Sequence, residues 1–296
     1  MDILITGSSG LVGSTLTTAL EGQGHTVLRL VRREPTRPGE HRWDPGSGHI
    51  DEAALDVDAV VHLAGENIAA GRWTKAVKQR IRSSRIDGTS LLARAIAERD
   101  EGPSVFVTAS AVGFYGNRGD ELLDESAEAG EGDLASVCQA WEAACEPATA
   151  AGVRVAHLRF GVVLARHGGA LQRMLPIFRC GLGGKLGNGR QWMSWIALDD
   201  AVSAIQRALT DESLTGPVNA VAPEAVTNAR FTAVLGRVLR RPAFLPAPAF
   251  ALKLVLGEMA EELLLASARV EPRKLLDAGH DFEYRELEPA LRALLT

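Results

Sequence analysis

The residues best placed to do chemistry stand near the start of the chain, in Gly7-Ser8-Ser9-Gly10-Leu11-Val12-Gly13. Glycine at 7 lets the chain turn sharply, and at 10 it lets the backbone come close to a ligand. At 13 it lets the following helix pack tightly. A helix opening here offers unpaired amides and the positive end of its dipole, a receptor for a diphosphate. A glycine-rich turn that holds no ligand is the alternative. The second apolar run ends in Leu30-Val31-Arg32-Arg33, with no acid to hold ribose hydroxyls. Two guanidinium forks suit a 2′-phosphate, so the expected dinucleotide is NADP(H), with NAD(H) the lesser alternative. Two solvated arginines at a strand end would look the same. His62-Leu63-Ala64-Gly65 then supplies small residues where a dinucleotide can lie across the sheet edge.

Short β-branched runs must position these groups. The pattern predicts strands at Asp2–Thr6, Thr26–Val31, Asp58–Leu63, Ser104–Ala109 and Val153–Leu158. Between them it predicts helices at Leu11–Glu21, Trp73–Glu98 and Leu134–Glu146, the last stopped by Pro147. Strands separated by crossover helices imply an α/β fold, a Rossmann-type doubly wound parallel sheet. Residues 1–160 are expected to form the dinucleotide-binding domain, with a return contribution from about 195–222. Residues 161–296 are expected to form a smaller, mostly helical substrate or lid lobe. Asp199–Leu209 and Phe231–Leu239 read as helices there, and the apolar stretch from Phe250 to Ala268 reads as one or two amphipathic helices.

The loop Gly181–Gly189, with Lys185 and Arg190, precedes Trp192-Met193-Ser194-Trp195. It reads either as a mobile lid or as an ordinary loop whose tryptophans pack the lobe junction. Capping explains at least one of Asp199 and Asp200. Asn219 serves either to join the lobes or to cap a strand end. Arg273 and Lys274 read as solvated.

A net charge of -5 gives no general attraction to nucleic acid or to anionic lipid. Lys253, Glu258, Glu261 and Glu262 break the late apolar stretch, which excludes a membrane-spanning helix there. Met1-Asp2-Ile3-Leu4-Ile5 leads straight into structure and does not read as a signal peptide. Cys138, Cys145 and Cys180 form no ligand cluster, so no metal is expected and a reducing, cytoplasmic location is. The expected partner is a small-molecule substrate, and a homodimer stays open.

Motifs along the whole chain resemble the extended short-chain dehydrogenase/reductase superfamily. They are most similar to its epimerase-like (NAD-dependent epimerase/dehydratase-type) subfamily with a distinctive C-terminal segment. They include Trp43-Asp44-Pro45, Leu63-Ala64-Gly65-Glu66-Asn67-Ile68 and Ser84-Arg85-Ile86-Asp87-Gly88-Thr89. Further on come Ser110-Ala111-Val112-Gly113-Phe114-Tyr115-Gly116, Trp141-Glu142, Gln191-Trp192-Met193-Ser194-Trp195-Ile196 and Glu271-Pro272-Arg273-Lys274-Leu275-Leu276. The resemblance implies cofactor contacts from Gly7, Ser9, Gly10, Leu11, Val12, Gly13, Arg32, Arg33, Leu63, Ala64, Gly65, Glu66, Arg85, Ser110 and Arg159. It also implies a Tyr-x-x-x-Lys pair on the Leu134–Glu146 helix, in which the lysine lowers the tyrosine's pKa.

This chain departs there. It has Cys138 and Glu142 at the matching i, i+4 positions, and neither reproduces a lysine-activated phenol. Three readings follow. Tyr115 supplies the acid while Ser110 orients a carbonyl, or Cys138 or Glu142 takes another acid–base role, or the cofactor binds with little chemistry. A packed aromatic and a small helix-core residue are the plainer readings of Tyr115 and Cys138. The expected function is an NADP(H)-dependent oxidoreductase of epimerase/reductase type acting on a small carbonyl or alcohol. The alternative is a cofactor-binding regulator or redox-state sensor.

Overall fold

Alternating side chains on parallel strands supply both faces of a sheet, and helices cover each. The computed structural model describes residues 1–69 and 71–295. The chain begins β1 (Asp2–Thr6), α1 (Leu11–Gly22), β2 (Thr26–Val31), β3 (Glu40–Asp44), β4 (His49–Ile50), β5 (Ala59–His62), α2 (Lys75–Ala97) and β6 (Val105–Ala111). It continues with β7 (Leu122–Leu123), α3 (Asp133–Ala143), α4 (Glu146–Ala150), β8 (Arg154–Phe160), β9 (Val162–Leu164), α5 (Gly169–Arg179), β10 (Trp192–Met193) and β11 (Trp195–Ala197). Then come α6 (Leu198–Thr210), β12 (Gly216–Ala220), β13 (Val226–Thr227), α7 (Asn228–Leu239), α8 (Ala249–Leu256), β14 (Arg269–Val270), α9 (Arg273–Asp277) and α10 (Leu287–Leu295).

Eight strands form one sheet in the order β12-β8-β6-β5-β1-β2-β3-β4. Every pairing in it is parallel except β3 with β4. This is the doubly wound Rossmann-type order, with the strand sequence reversing between β1 and β5. Ile3, Ile5, Val61 and Val107 pack one face against α1 and α6, where Leu16, Leu20, Ala201 and Ile205 are buried. Leu4, Val60 and Phe106 pack the other face with Leu92 and Ile96 of α2. One-residue alternation between two cores is the period-2 signature of a sheet covered on both sides.

The structure corrects three local expectations. β3 and β4 extend the sheet where no strand was expected, because Glu-His-Arg-Trp-Asp is polar and buries Trp43 alone. The helix after β6 ends at Ala143, and α4 starts at Glu146 with Pro147 in its first turn. A proline there gives up an N–H that had no helical partner, so Pro147 starts a helix rather than stopping one. Beyond Phe160, three short two-stranded pairs, β9–β11, β10–β13 and β7–β14, accompany the helices. Gly216–Ala220 returns to the main sheet as its edge strand β12, where Pro217 is tolerated.

A second core gathers Leu171, Phe178, Trp195, Phe231, Leu235, Leu287 and Leu291. Trp195 is fully buried and its indole N–H donates to the carbonyl of Glu224 at 2.7 Å. Trp195→Ala should therefore cost about 3–5 kcal/mol in urea unfolding. A cost near zero would remove Trp195 from the centre of this core.

Candidate functional site

Parallel register lines up polar residues at the carboxyl ends of the strands. Thr6, His62, Thr108 and His157 occupy one row across β1, β5, β6 and β8. Two residues further on, Ser110, Arg159 and Asn219 occupy another across β6, β8 and β12. Both rows lie on the face that α2 and α3 cover.

The first row holds the glycine loop in place. Thr6 Oγ1 lies 2.6 Å from His62 Nδ1 and accepts from the amides of Leu63 (3.2 Å) and Ala64 (3.3 Å). Gly7 sits directly above them at φ 68°, and a Cβ there would lie 2.8 Å from Ala64 N. A Cβ on Gly13 would lie 2.2 Å from the Gly7 carbonyl oxygen. Helix α1 thus starts against the loop and the end of β5, at a distance only glycine permits. Its N-terminus carries no side-chain cap and no acid in its first turn. Those amides are therefore left for a ligand, and the cradle fits a pyrophosphate. Ser9 and Gly10 are exposed beside it, and Leu11 packs against Gly168 and Gly169 at the start of α5.

The two arginines after β2 have different fates. Arg33 is turned back: it pairs with Glu40 and donates to Thr36 Oγ1 at 2.9 Å, closing the 34–40 loop. That guanidinium holds the Glu40 carboxyl at about 2. Arg32 is exposed and makes no hydrogen bond or ion pair with the described residues. Of the two, Arg32 is the guanidinium not engaged by a carboxylate among the described residues.

The second row is a buried network. Arg159 is 3% exposed, and its Nε and Nη2 each donate to the Glu142 carboxylate at 2.8 Å. Ser110 Oγ donates to the same carboxylate at 2.6 Å. Arg159 Nη1 lies 3.0 Å from the Tyr115 hydroxyl, and its Cζ stands 3.4 Å over the Phe114 ring. The Tyr115 hydroxyl donates to Asn219 Oδ1 at 2.7 Å and is shared with the Asp124 carbonyl at 3.0 Å. Asn219 Nδ2 passes the chain of bonds to the Glu271 carbonyl at 2.9 Å.

Two expectations change here. Arg159, expected against the cofactor, is committed to Glu142. Tyr115, expected as an acid, is 0% exposed, with its hydroxyl engaged inside the core. Burial raises its pKa further, against the opposing pull of Arg159. Cys138 does lie on the helical face of Glu142, next to Gly113, but burial and then the Glu142 charge push its thiol up to about 12. It is a protonated core residue. The sequence showed Arg159, Glu142 and Asn219 singly. That they form one network follows from strand register, which no local pattern announces.

Arg85, on α2, reaches Gly65 and the Glu66 carbonyl and stacks on Trp141. The 181–189 loop is stitched down rather than loose. Leu245 N donates to the Gly183 carbonyl (3.1 Å), Ala247 N to Lys185 (2.9 Å) and Gly187 N to Ala247 (2.8 Å). Trp192 bonds Asp120 at 2.8 Å and stacks under Arg269. Asp200 accepts from the amides of Glu283 (2.7 Å) and Tyr284 (3.0 Å), tying down the approach to α10 rather than capping its own helix. Lys274, expected in solvent, is half-buried and donates to the Thr215 carbonyl at 2.7 Å. Among the described residues, no helix is long and apolar enough to cross a membrane.

His62 is a fully buried group whose charge the fold excludes, and burial lowers His157 and His280 in the same direction. Desolvation lowers the His62 imidazole to about 3 from an ordinary 6.5. The unfolded chain binds the proton more tightly, so stability is lost as pH falls from about 6.5 towards 3, by at most about 1.4 kcal/mol per unit. His62→Gln should flatten that part of the curve in urea titrations at pH 7 and pH 5. Equal losses in both proteins would exclude His62 as the source.

Residues 3–221 match the NAD dependent epimerase/dehydratase family, and residues 247–294 match a domain of unknown function (DUF1731). An epimerase family protein of Mycobacterium bovis, Mb2239, is 49% identical over 290 residues, covering 98% of this chain and 96% of that protein. The human epimerase family protein SDR39U1, crystallised with NADPH, superimposes with a TM-score of 0.89 at 34% identity, over 99% of each chain. A nucleoside-diphosphate sugar epimerase from Corynebacterium glutamicum gives a TM-score of 0.83 at 41% identity, covering 100% of this chain and 58% of that longer one.

Proposed function

The chain belongs to the NAD dependent epimerase/dehydratase family, as an atypical extended short-chain dehydrogenase/reductase, and on that footing we propose that it is an NADP(H)-dependent oxidoreductase acting on a small alcohol or carbonyl compound. The observation that carries the reading is the pair of arginines after β2. Arg33 is consumed by Glu40, while Arg32 stands exposed without a counter-ion. An unpaired guanidinium beyond the second strand, with no acid in place of it, suits a 2′-phosphate. The human relative crystallised with NADPH supports the same choice.

In this reading residues 1–160 with β12 form the cofactor half and 161–296 the substrate half. Gly7, Ser9, Gly10, Leu11, Val12 and Gly13 receive the pyrophosphate. Leu63, Ala64, Gly65 and Glu66 border the nicotinamide end together with Ser110. When bound, NADP(H) takes up or supplies the hydride. The chain's own contribution is the proton. Glu142 already accepts the Ser110 hydroxyl in a 2.6 Å hydrogen bond, so it is placed to receive that proton. Ser110 and Glu142 therefore serve alcohol oxidation: the substrate hydroxyl proton passes to Ser110 Oγ as the serine proton moves to Glu142. Tyr115 and Cys138 are structural.

The buried phenol and the protonated thiol also favour a second reading, a regulator that holds NADP(H) and changes its partner affinity with redox state. Two measurements bear on this. Arg32→Asp should weaken NADPH binding by about 10–100-fold in calorimetry and NADH by no more than about threefold. An equal loss for both would contradict the 2′-phosphate assignment. Ser110→Ala should lower kcat for alcohol oxidation with NADPH affinity unchanged. If a broad panel of alcohols and carbonyls gives no turnover with tightly bound cofactor, the second reading takes its place.

A further inference from the structure

Among the described residues, no carboxylate hydrogen-bonds or ion-pairs with Arg85, and Glu66 acts on its charge only through space. Arg85 Nη1 donates to the carbonyls of Glu66 and Ile81, both at 3.1 Å, and these are its only acceptors among the described residues. Its Cζ lies 5.0 Å from the centre of the Trp141 ring, and the indole N–H is fixed on Thr89 Oγ1 at 2.9 Å, which sets the plane of the guanidinium. Gly65 is exposed and lies against it: a Cβ there would stand 3.5 Å from Cζ.

The neighbouring carboxylates are already turned elsewhere. Glu66 leans to Arg80 at 3.6 Å, and Glu142 is held by Arg159. The Cys138 thiol beside Arg85 is neutral. Burial lowers the Arg85 pKa, the mark of a cation paying for desolvation without a carboxylate partner. Yet Nε and Nη2 are not sealed in: neither is among the buried polar atoms that lack a partner. Together they form the side-on donor fork whose spacing matches the two oxygens of a carboxylate. A half-buried cation whose Nε and Nη2 find no acceptor among the described residues leaves room for a ligand that brings the counter-charge.

We propose that Arg85 receives a carboxylate carried by the substrate, so that the substrate is a small hydroxy or oxo acid rather than a neutral alcohol or carbonyl. The proposal rests on reading this cleft as a hydride-transfer site and narrows that reading. It replaces the cofactor contact expected of Arg85 from sequence. The guanidinium would hold one end of the acid while Ser110 takes the oxygen being oxidised.

The test compares pyruvate with hydroxyacetone, a neutral compound of the same carbon count, by calorimetry on the full chain with and without NADP⁺. The native protein should prefer pyruvate by about tenfold or more, and Arg85→Gln should reduce that preference to about twofold while NADPH affinity stays within about twofold. Arg85→Lys should restore part of it. Gly65→Val keeps the charge but sets a side chain against the fork, and should also remove the preference. That variant guards against an Arg85→Gln protein that fails to fold. Equal binding of the two probes by the native chain, or a preference that survives both Arg85→Gln and Gly65→Val, would overturn the proposal. So would a loss of NADPH affinity in Arg85→Gln with the preference for pyruvate retained. If the native chain takes up no NADPH but still prefers pyruvate, the cofactor reading falls and the carboxylate site stands.

Discussion

The ion pair between Arg159 and Glu142 is the interaction on which the carboxyl ends of the strands depend. A guanidinium at 3% exposure is unfavourable unless its charge and its donors are all met. Glu142 meets two of them, the Tyr115 hydroxyl a third, and the Phe114 ring covers one face of the group. Three elements meet in this group: α3 brings Glu142, the turn after β6 brings Phe114 and Tyr115, and β8 brings Arg159. Truncating one side would leave the other charge buried and alone, at about 3–5 kcal/mol. The pair therefore fixes where α3 lies over the sheet. It also fixes where Ser110, which shares the carboxylate, points its hydroxyl.

The same network explains how the C-terminal segment is tied to the cleft. Asn219 relays the Tyr115 hydroxyl to the carbonyl of Glu271, while Glu125 accepts from the amides of Asn219 and Lys274. On the far side of α3, Glu262 accepts from the amides of Asp133 and Leu134 and so caps a helix that has no cap of its own. Lys78 joins Glu258 to Asp133 across the same corner. Residues matching a domain of unknown function thus support both ends of the site-bearing region. They act through charge and hydrogen bonding and also through packing: α8 buries no residue, but Met259 is buried beside Trp73 and Ile81, and Leu287 and Leu291 join the second core.

What the sequence made legible follows from how local each signal is. The glycine loop, its flanking strand and helix, and the missing acid after β2 are written in consecutive residues, and the fold places them as expected. β3 was not legible, because a strand with one buried side chain has no alternation to read. The separate fates of Arg32 and Arg33 turned on Glu40, which folds back from beyond the loop. Tyr115 looked like an acid because its spacing after Ser110 fits a strand-end loop. The 3-10 turn at Val112–Tyr115 instead rolls the ring into the core. Side-chain direction at a turn is decided by tertiary packing, which residue order does not carry.

Glu142 on α3 puts a carboxylate on the helix face that packs towards β6 and β8, and the structure shows how that charge is absorbed. Arg159 from β8 neutralises the carboxylate inside the core, so the glutamate adds no net charge to the site. Arg85 from α2 then leaves one cation beside Gly65, held in a plane by Trp141. A preorganised positive charge there acts on whatever negative charge a ligand brings or develops. It stands apart from the Arg159–Glu142 pair, whose carboxylate already receives the hydrogen bond of Ser110.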